Sequence, residues 1–138
     1  LTTIVTGAAV SADSVYSGMD PADVTVTNVD DDLAGISVVP TSGLETTASG
    51  GTATFSVALT SQPTADVTIG LSSSSTAQGT VAPAALTFTA VDWDAAQLVT
   101  VTGASSPGPY TIVTDPAVSA DPGYSGVDAD DVSVTNLP

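Results

Sequence analysis

Residues 3–28 read TIVTGAAVSADSVYSGMDPADVTVTN, and residues 111–136 read TIVTDPAVSADPGYSGVDADDVSVTN. The two stretches agree at 18 of 26 positions and stand 108 residues apart. Chance does not produce that agreement, so the chain carries one ending twice around a single middle. The interval is the size of one β-sandwich domain of about 100 residues. The 138 residues therefore read as one complete repeat preceded by the last quarter of another. Two strands of a hairpin bury too little to be stable alone in water. The first copy belongs either to a preceding part of a longer tandem array or to a neighbouring chain, reached by strand addition at an open sheet edge. The candidate strand-exchange and interface residues are Thr3, Ile4 and Val5 on its first strand and Val24 and Val26 on its second.

Outward from the duplicated ending, two-residue alternation dominates. In TATFSVALT the residues Ala53, Phe55, Val57 and Leu59 share one face, while Thr52, Thr54, Ser56 and Ala58 share the other. The same period places Val67, Ile69 and Leu71 on one face of DVTIGL, Leu86 and Phe88 in ALTFTA, and Val99 and Val101 in QLVTVTG. Shorter strands are expected at GISVV from Gly35, at both copies of TIVT, and at DVTVTN and DVSVTN. Turn residues at Ser49, Ser61, Pro107 and Asp121 separate them at the spacing of a sandwich. The expected fold is all-β, an immunoglobulin-like sandwich. The expected segments are 1–29 as the closing strands of a preceding or strand-exchanged repeat, 30–34 as an acidic joint, and 35–138 as the complete repeat.

Composition narrows function mainly by exclusion. The chain has 22 Thr, 17 Ser, 14 Asp and one Glu, and no Lys, Arg, His or Cys, for a net charge of −15. A surface without side-chain cations cannot neutralise phosphates, which excludes nucleic acid, and it is repelled by anionic membrane surfaces. No apolar run is long enough for a membrane-spanning helix, so membrane insertion is not expected. The acidity favours Ca²⁺, Na⁺ or a cationic partner, or simply keeps an extracellular polymer soluble. Without His, Cys or Lys, nucleophile–base catalytic sets cannot be built. The first residues show no basic n-region, so a signal peptide is absent or already removed.

The stretch GISVVPTSGLETTASGGTATFSVALTSQPTADVTIGLSSSSTAQGTVAPAALTFTAVDWDAAQLVTVTG resembles the Calx-β-like repeats found in tandem in large bacterial surface and secreted proteins. The most specific parts are SQPTADVTIGL, the LTFTAVDWDAAQLVTVTG strand pair with Trp93 and Gln97, the YSG loops at Tyr16 and Tyr124, and the NVDDDLAG joint. The resemblance implies a Greek-key sandwich, an extracellular or cell-surface location, and a role in adhesion, matrix or filaments. It also implies Ca²⁺ at one end of the sandwich, with Asp30, Asp31 and Asp32 matching the family's acidic triplet. Calcium needs six to eight oxygens, and the rest of the family's shell is not matched. Its early Glu falls near Ala48, its acidic loop is replaced by Ala104 to Gly108, and the second copy ends NLP. A weaker joint site at Asp30–Asp32 is the remaining calcium candidate, against a solvated acidic hinge.

Three further features carry chemistry in principle. Asp92 and Asp94 flank Trp93, and paired carboxylates beside an aromatic suggest a glycosidase. A small sandwich offers no deep cleft for that reaction, so no catalysis is expected, and Trp93 reads as a core or edge-capping residue with sugar stacking as its second reading. Tyr16 and Tyr124 sit in matching loops and read as structural latches, a hydroxyl returning to backbone. Asp20 and Asp23, with Asp128 and Asp131, are expected to cap the turn into the final strand. The residues together point to a structural repeat of an extracellular fibre, filament or adhesin stalk. Its partners are copies of itself, assembled head to tail. The alternative is a calcium- or carbohydrate-binding module, with surface glycans as the further partner class.

Overall fold

A computed structural model describes residues 2–27 and 33–138. The chain forms two compact units, Leu1–Asp31 and Asp32–Pro138. Among the described residues no helix is long and apolar enough to cross a membrane.

The first unit is a hairpin of β1 (Thr2–Ile4) and β2 (Val24–Val26), paired antiparallel. A long loop joins them, closed by the Ala9 amide donating to the Met19 carbonyl and by the Gly18 amide donating to the Ala9 carbonyl. Gly18 takes φ 82° there, a conformation that costs an ordinary side chain and that glycine adopts freely.

The second unit is a two-layer sandwich. One sheet runs β3 (Ile36–Val39), β5 (Thr52–Leu59), β9 (Gln97–Gly103), β7 (Gly79–Ala82). The other is centred on β6 (Val67–Ser73), which takes β8 (Ala85–Phe88) on one side. On its other side β6 takes β10 (Gly108–Thr114) and the two-residue β11 (Val118–Ser119). Beyond β10 lies β12 (Val132–Leu137), and β12 pairs parallel with β4 (Leu44–Thr47). The fold is thus an all-β immunoglobulin-like sandwich.

Alternation fills the space between the sheets. Phe55, Val57 and Leu59 from β5 and Val99 and Val101 from β9 meet Val67, Ile69 and Leu71 from β6 and Leu86 and Phe88 from β8. Tyr110, Ile112, Val132 and Val134 complete the core from β10 and β12. Each buried apolar side chain of this size stabilises the sandwich by about 1.5–3 kcal/mol. Trp93 is half-buried and packs on the margin of this cluster, its carbonyl accepting from the Leu59 amide.

The strand reading needs two corrections. LTFTA and QLVTVTG are not a pair: β8 bonds to β6 and β9 to β5 and β7, so the Asp92–Trp93 turn carries the chain from one sheet to the other. Three strands lay outside the expected set, namely β4, β7 and β11.

The chain enters and leaves this sandwich at opposite ends. Ile36 pairs with Leu59, and the Thr60 hydroxyl donates to the Leu33 carbonyl, which fixes the entry. Asn136 and Leu137 pair with Thr46 and Thr47 beside the Thr52 end of β5, which fixes the exit. The eight residues of β5 separate the two ends by roughly 23 Å at about 3.3 Å per residue.

Candidate interface: the terminal hairpin and its slot

In the sandwich the terminal hairpin, β10 with its loop and β12, is held by its own bonds and by bonds to the rest of the domain. Its own bonds come first. Ile112 pairs with Val132, Thr111 with Ser133 and Tyr110 with Val134. The Ala117 amide donates to the Val127 carbonyl, and the Gly126 amide (φ 82°) to the Ala117 carbonyl. Asp131 Oδ1 accepts from the Thr114 amide at 2.9 Å, and the Thr114 hydroxyl donates to the Ala129 carbonyl at 2.8 Å.

Every one of these has a counterpart in the first unit. Ile4 pairs with Val24, Thr3 with Thr25 and Thr2 with Val26, the same register displaced by 108 positions. Asp23 Oδ1 accepts from the Thr6 amide at 3.0 Å, and the Thr6 hydroxyl donates to the Pro21 carbonyl at 2.7 Å. The sequence expectation that Asp23 and Asp131 cap the turn into the final strand is therefore corrected. Both residues reach across 17 residues to the opposite strand and staple the mouth of the loop.

The bonds to the rest of the sandwich form the slot. Tyr124, 1 % exposed, donates its hydroxyl proton to the Ser61 carbonyl at 2.6 Å and accepts from the Ser61 amide at 3.0 Å. Asp121 Oδ2 accepts from the Thr64 amide at 2.8 Å and Oδ1 from the Gly123 amide at 2.8 Å. The Thr64 N–H, then the Gly123 N–H, hold this carboxyl below the usual aspartate range. At the exit end Asn136 Oδ1 accepts from the Thr46 hydroxyl at 3.0 Å, and Nδ2 donates to the Ala104 and Ser106 carbonyls at 2.7 and 2.9 Å. Among the described residues every buried side-chain nitrogen and oxygen has a partner.

The first unit keeps the inner half of this arrangement. Asp13 Oδ1 accepts from the Val15 amide at 2.9 Å, as Asp121 does from Gly123. Tyr16, the counterpart of Tyr124, is 59 % exposed. Ile4 (56 %), Val24 (52 %) and Val26 (43 %) stand where Ile112, Val132 and Val134 are sealed. Thr3 and Val5 alternate to the other side of the strand and match Thr111 and Val113. Beside Tyr16 lies a concavity of about 300 Å³ lined by Ala9, Tyr16, Met19, Asp20 and Pro21.

The remaining candidates are placed as follows. Asp30, Asp31 and Asp32 lie outside the described residues. Among the described residues no group of three or more carboxylates is arranged to hold a metal ion. Asp92 Oδ1 accepts from the Thr89 amide at 2.6 Å and the Thr89 hydroxyl at 2.9 Å, which lowers its pKa and commits it to the turn. From sequence Ser61 reads only as a turn residue and Thr64 does not stand out, because their contribution to the slot is mainly backbone amide and carbonyl, which the letters SQPT do not announce.

No family model matches the chain, and no curated protein matches it. Solved structures do. WR4, a Caenorhabditis elegans MSP family member, is similar at 16% identity over 74% of this chain and 95% of its own, with a TM-score of 0.51. SSP-19, an MSP-domain protein like family member in Caenorhabditis elegans, is similar at 13% identity over 73% of this chain and 98% of its own, TM-score 0.56. Domains of the surface layer protein SbsC are similar at 24% identity over 84% of this chain, TM-score 0.56, and that match spans 14% of the SbsC chain. These likenesses establish the fold.

Proposed function

We propose that the chain is a structural repeat of an extracellular or cell-surface fibre, filament or adhesin stalk, in which β-sandwiches follow one another head to tail. One observation carries this reading. The closing hairpin recurs after 108 residues in the same register, on a sandwich that the chain enters at one end and leaves at the other. Repeats of that kind add length with each copy. Heterologous, end-to-end contacts of this sort propagate an open assembly where two-fold contacts close.

The chemistry is consistent with a passive role. The acidic, Thr- and Ser-rich surface carries no side-chain cation, and the Asp92 carboxylate is engaged by its own turn. The SbsC likeness lends support, since 14% of that surface layer protein's chain is similar in fold to this one. The Calx-β resemblance adds a calcium joint at Asp30–Asp32 to the proposal. Electron microscopy of native material before and after a chelator tests both. Filaments with a regular repeat, unchanged by chelation, support the rod and remove the metal. Filaments that soften place calcium at the joint, and isolated particles in both conditions sink the fibre.

A further inference from the structure

We infer that the apolar face of the N-terminal hairpin, Ile4, Tyr16, Val24 and Val26, is a docking surface for the body of another sandwich repeat. That body is one lying N-terminal to it in the same polypeptide and open at the place that β10 and β12 fill in the intact domain. This inference rests on the repeat reading above and adds the partner's chemistry.

The intact domain displays the complex. There the same face, as Ile112, Tyr124, Val132 and Val134, is at most 2 % exposed and packs on an inner surface that includes Phe55, Phe88 and Val99. The partner must also bring a turn that offers a backbone amide and carbonyl to a tyrosine hydroxyl, as Ser61 does, and a second amide to an aspartate, as Thr64 does. Tyr16 and Asp13 are positioned to receive those groups, with the Asp13 carboxylate already bonded on its inner side to Val15. Tyr16 forms one wall of the concavity, and its counterpart Tyr124 is the residue that bonds Ser61.

A second copy of the chain is a poor occupant. Its own slot already holds a hairpin with identical register and a sealed Tyr124, so exchange gains no contact. Two hairpins face to face would bring the Asp13 carboxylates of both toward each other, with no side-chain cation to offset them. An open repeat body supplies amide donors instead.

The test extends the full chain at its N-terminus with a second copy of residues 33–108, so that Leu1 follows glycine as Pro109 does. Hydrogen exchange is then compared in segment 2–27 with and without the extension. Protection is expected to rise about 100-fold or more as the hairpin joins a cooperative core. Two folded sandwiches with 2–27 exchanging as fast as before overturn the inference. So does an unextended chain that is a stable dimer with 2–27 already protected. A chimera in which residues 1–27 replace 109–135 guards against a failed extension. It is expected to fold with its transplanted tyrosine sealed, and a chimera that stays unfolded overturns the fit. Filaments on grids with an unprotected hairpin sink this inference alone. A protected hairpin without filaments sinks only the fibre.

Discussion

Tyr124 and Ser61, 63 positions apart, are joined by both backbone groups of the serine: the tyrosine hydroxyl accepts from its amide at 3.0 Å and donates to its carbonyl at 2.6 Å. This one side chain ties the closing hairpin to the turn between β5 and β6. Tyr124→Phe leaves that amide and carbonyl buried without their partner, at a cost of about 1–3 kcal/mol. Urea or thermal unfolding should show a Tm lower by about 4–8 °C per kcal/mol. Tyr16→Phe in the same chain should change stability by less than about 0.5 kcal/mol. Equal effects at both sites would show that the latch does not work through Ser61.

Asp121 sets an acid dependence. Its carboxyl lies below the ordinary aspartate range, chiefly through the Thr64 amide, so the folded form binds its proton less readily than the unfolded chain. Its contribution is complete above the unfolded pKa and is lost as pH falls through the folded one. Stability should therefore fall below about pH 4. Asp121→Asn should be less stable at pH 7 and lose less on acidification. Parallel pH curves for the two proteins would remove Asp121 as the cause.

Salt should act in one direction. With 15 acidic side chains and no basic ones, added ions screen only repulsion, since there are no side-chain ion pairs to weaken. Thermal midpoints should rise steadily with NaCl. Calcium chloride at matched ionic strength should add nothing unless Asp30–Asp32 bind the ion. A midpoint that falls with NaCl would contradict a purely repulsive surface.

Gly79 lies against Tyr110, and a Cβ built there meets the tyrosine ring and hydroxyl. Gly79→Ala should cost about 1–3 kcal/mol by overpacking, read as a lower urea midpoint at unchanged slope. An unchanged midpoint would mean that the ring yields freely.

Asn136 anchors the exit end by donating to two carbonyls and accepting from Thr46. Asn136→Asp turns the donors into a carboxylate facing carbonyl oxygens, and should cost about 2 kcal/mol or more. Limited proteolysis should then cut first near 104–106. Cleavage elsewhere would place the weak point outside this network.

Period-two alternation made the large strands readable, because burying Phe55, Val57 and Leu59 on one side leaves a mark every second letter. Such marks assign faces and not neighbours, which is why β8 and β9 looked like a pair while joining different sheets. β4 was invisible because its buried residue is Thr46, an inward polar group satisfied by Asn136 and Tyr110. β7 is four residues with a glycine under a tyrosine ring, and β11 is two residues long. The repeated hairpin was legible as a repeat, whereas its polar partners were not, since Ser61, Thr64, Ala104 and Ser106 meet it mainly through backbone groups.

Entry and exit at opposite ends also decide how the sandwich meets tension. A pull on its two ends acts along the strands: β3 slides against antiparallel β5, and β12 against parallel β4, over the four pairings from Val134–Leu44 to Leu137–Thr47. Hydrogen bonds loaded that way share the force and must break together, where a peeled hairpin gives them up singly. A chain of such units would resist stretching until a whole sandwich yields, then lengthen by about one repeat at a time.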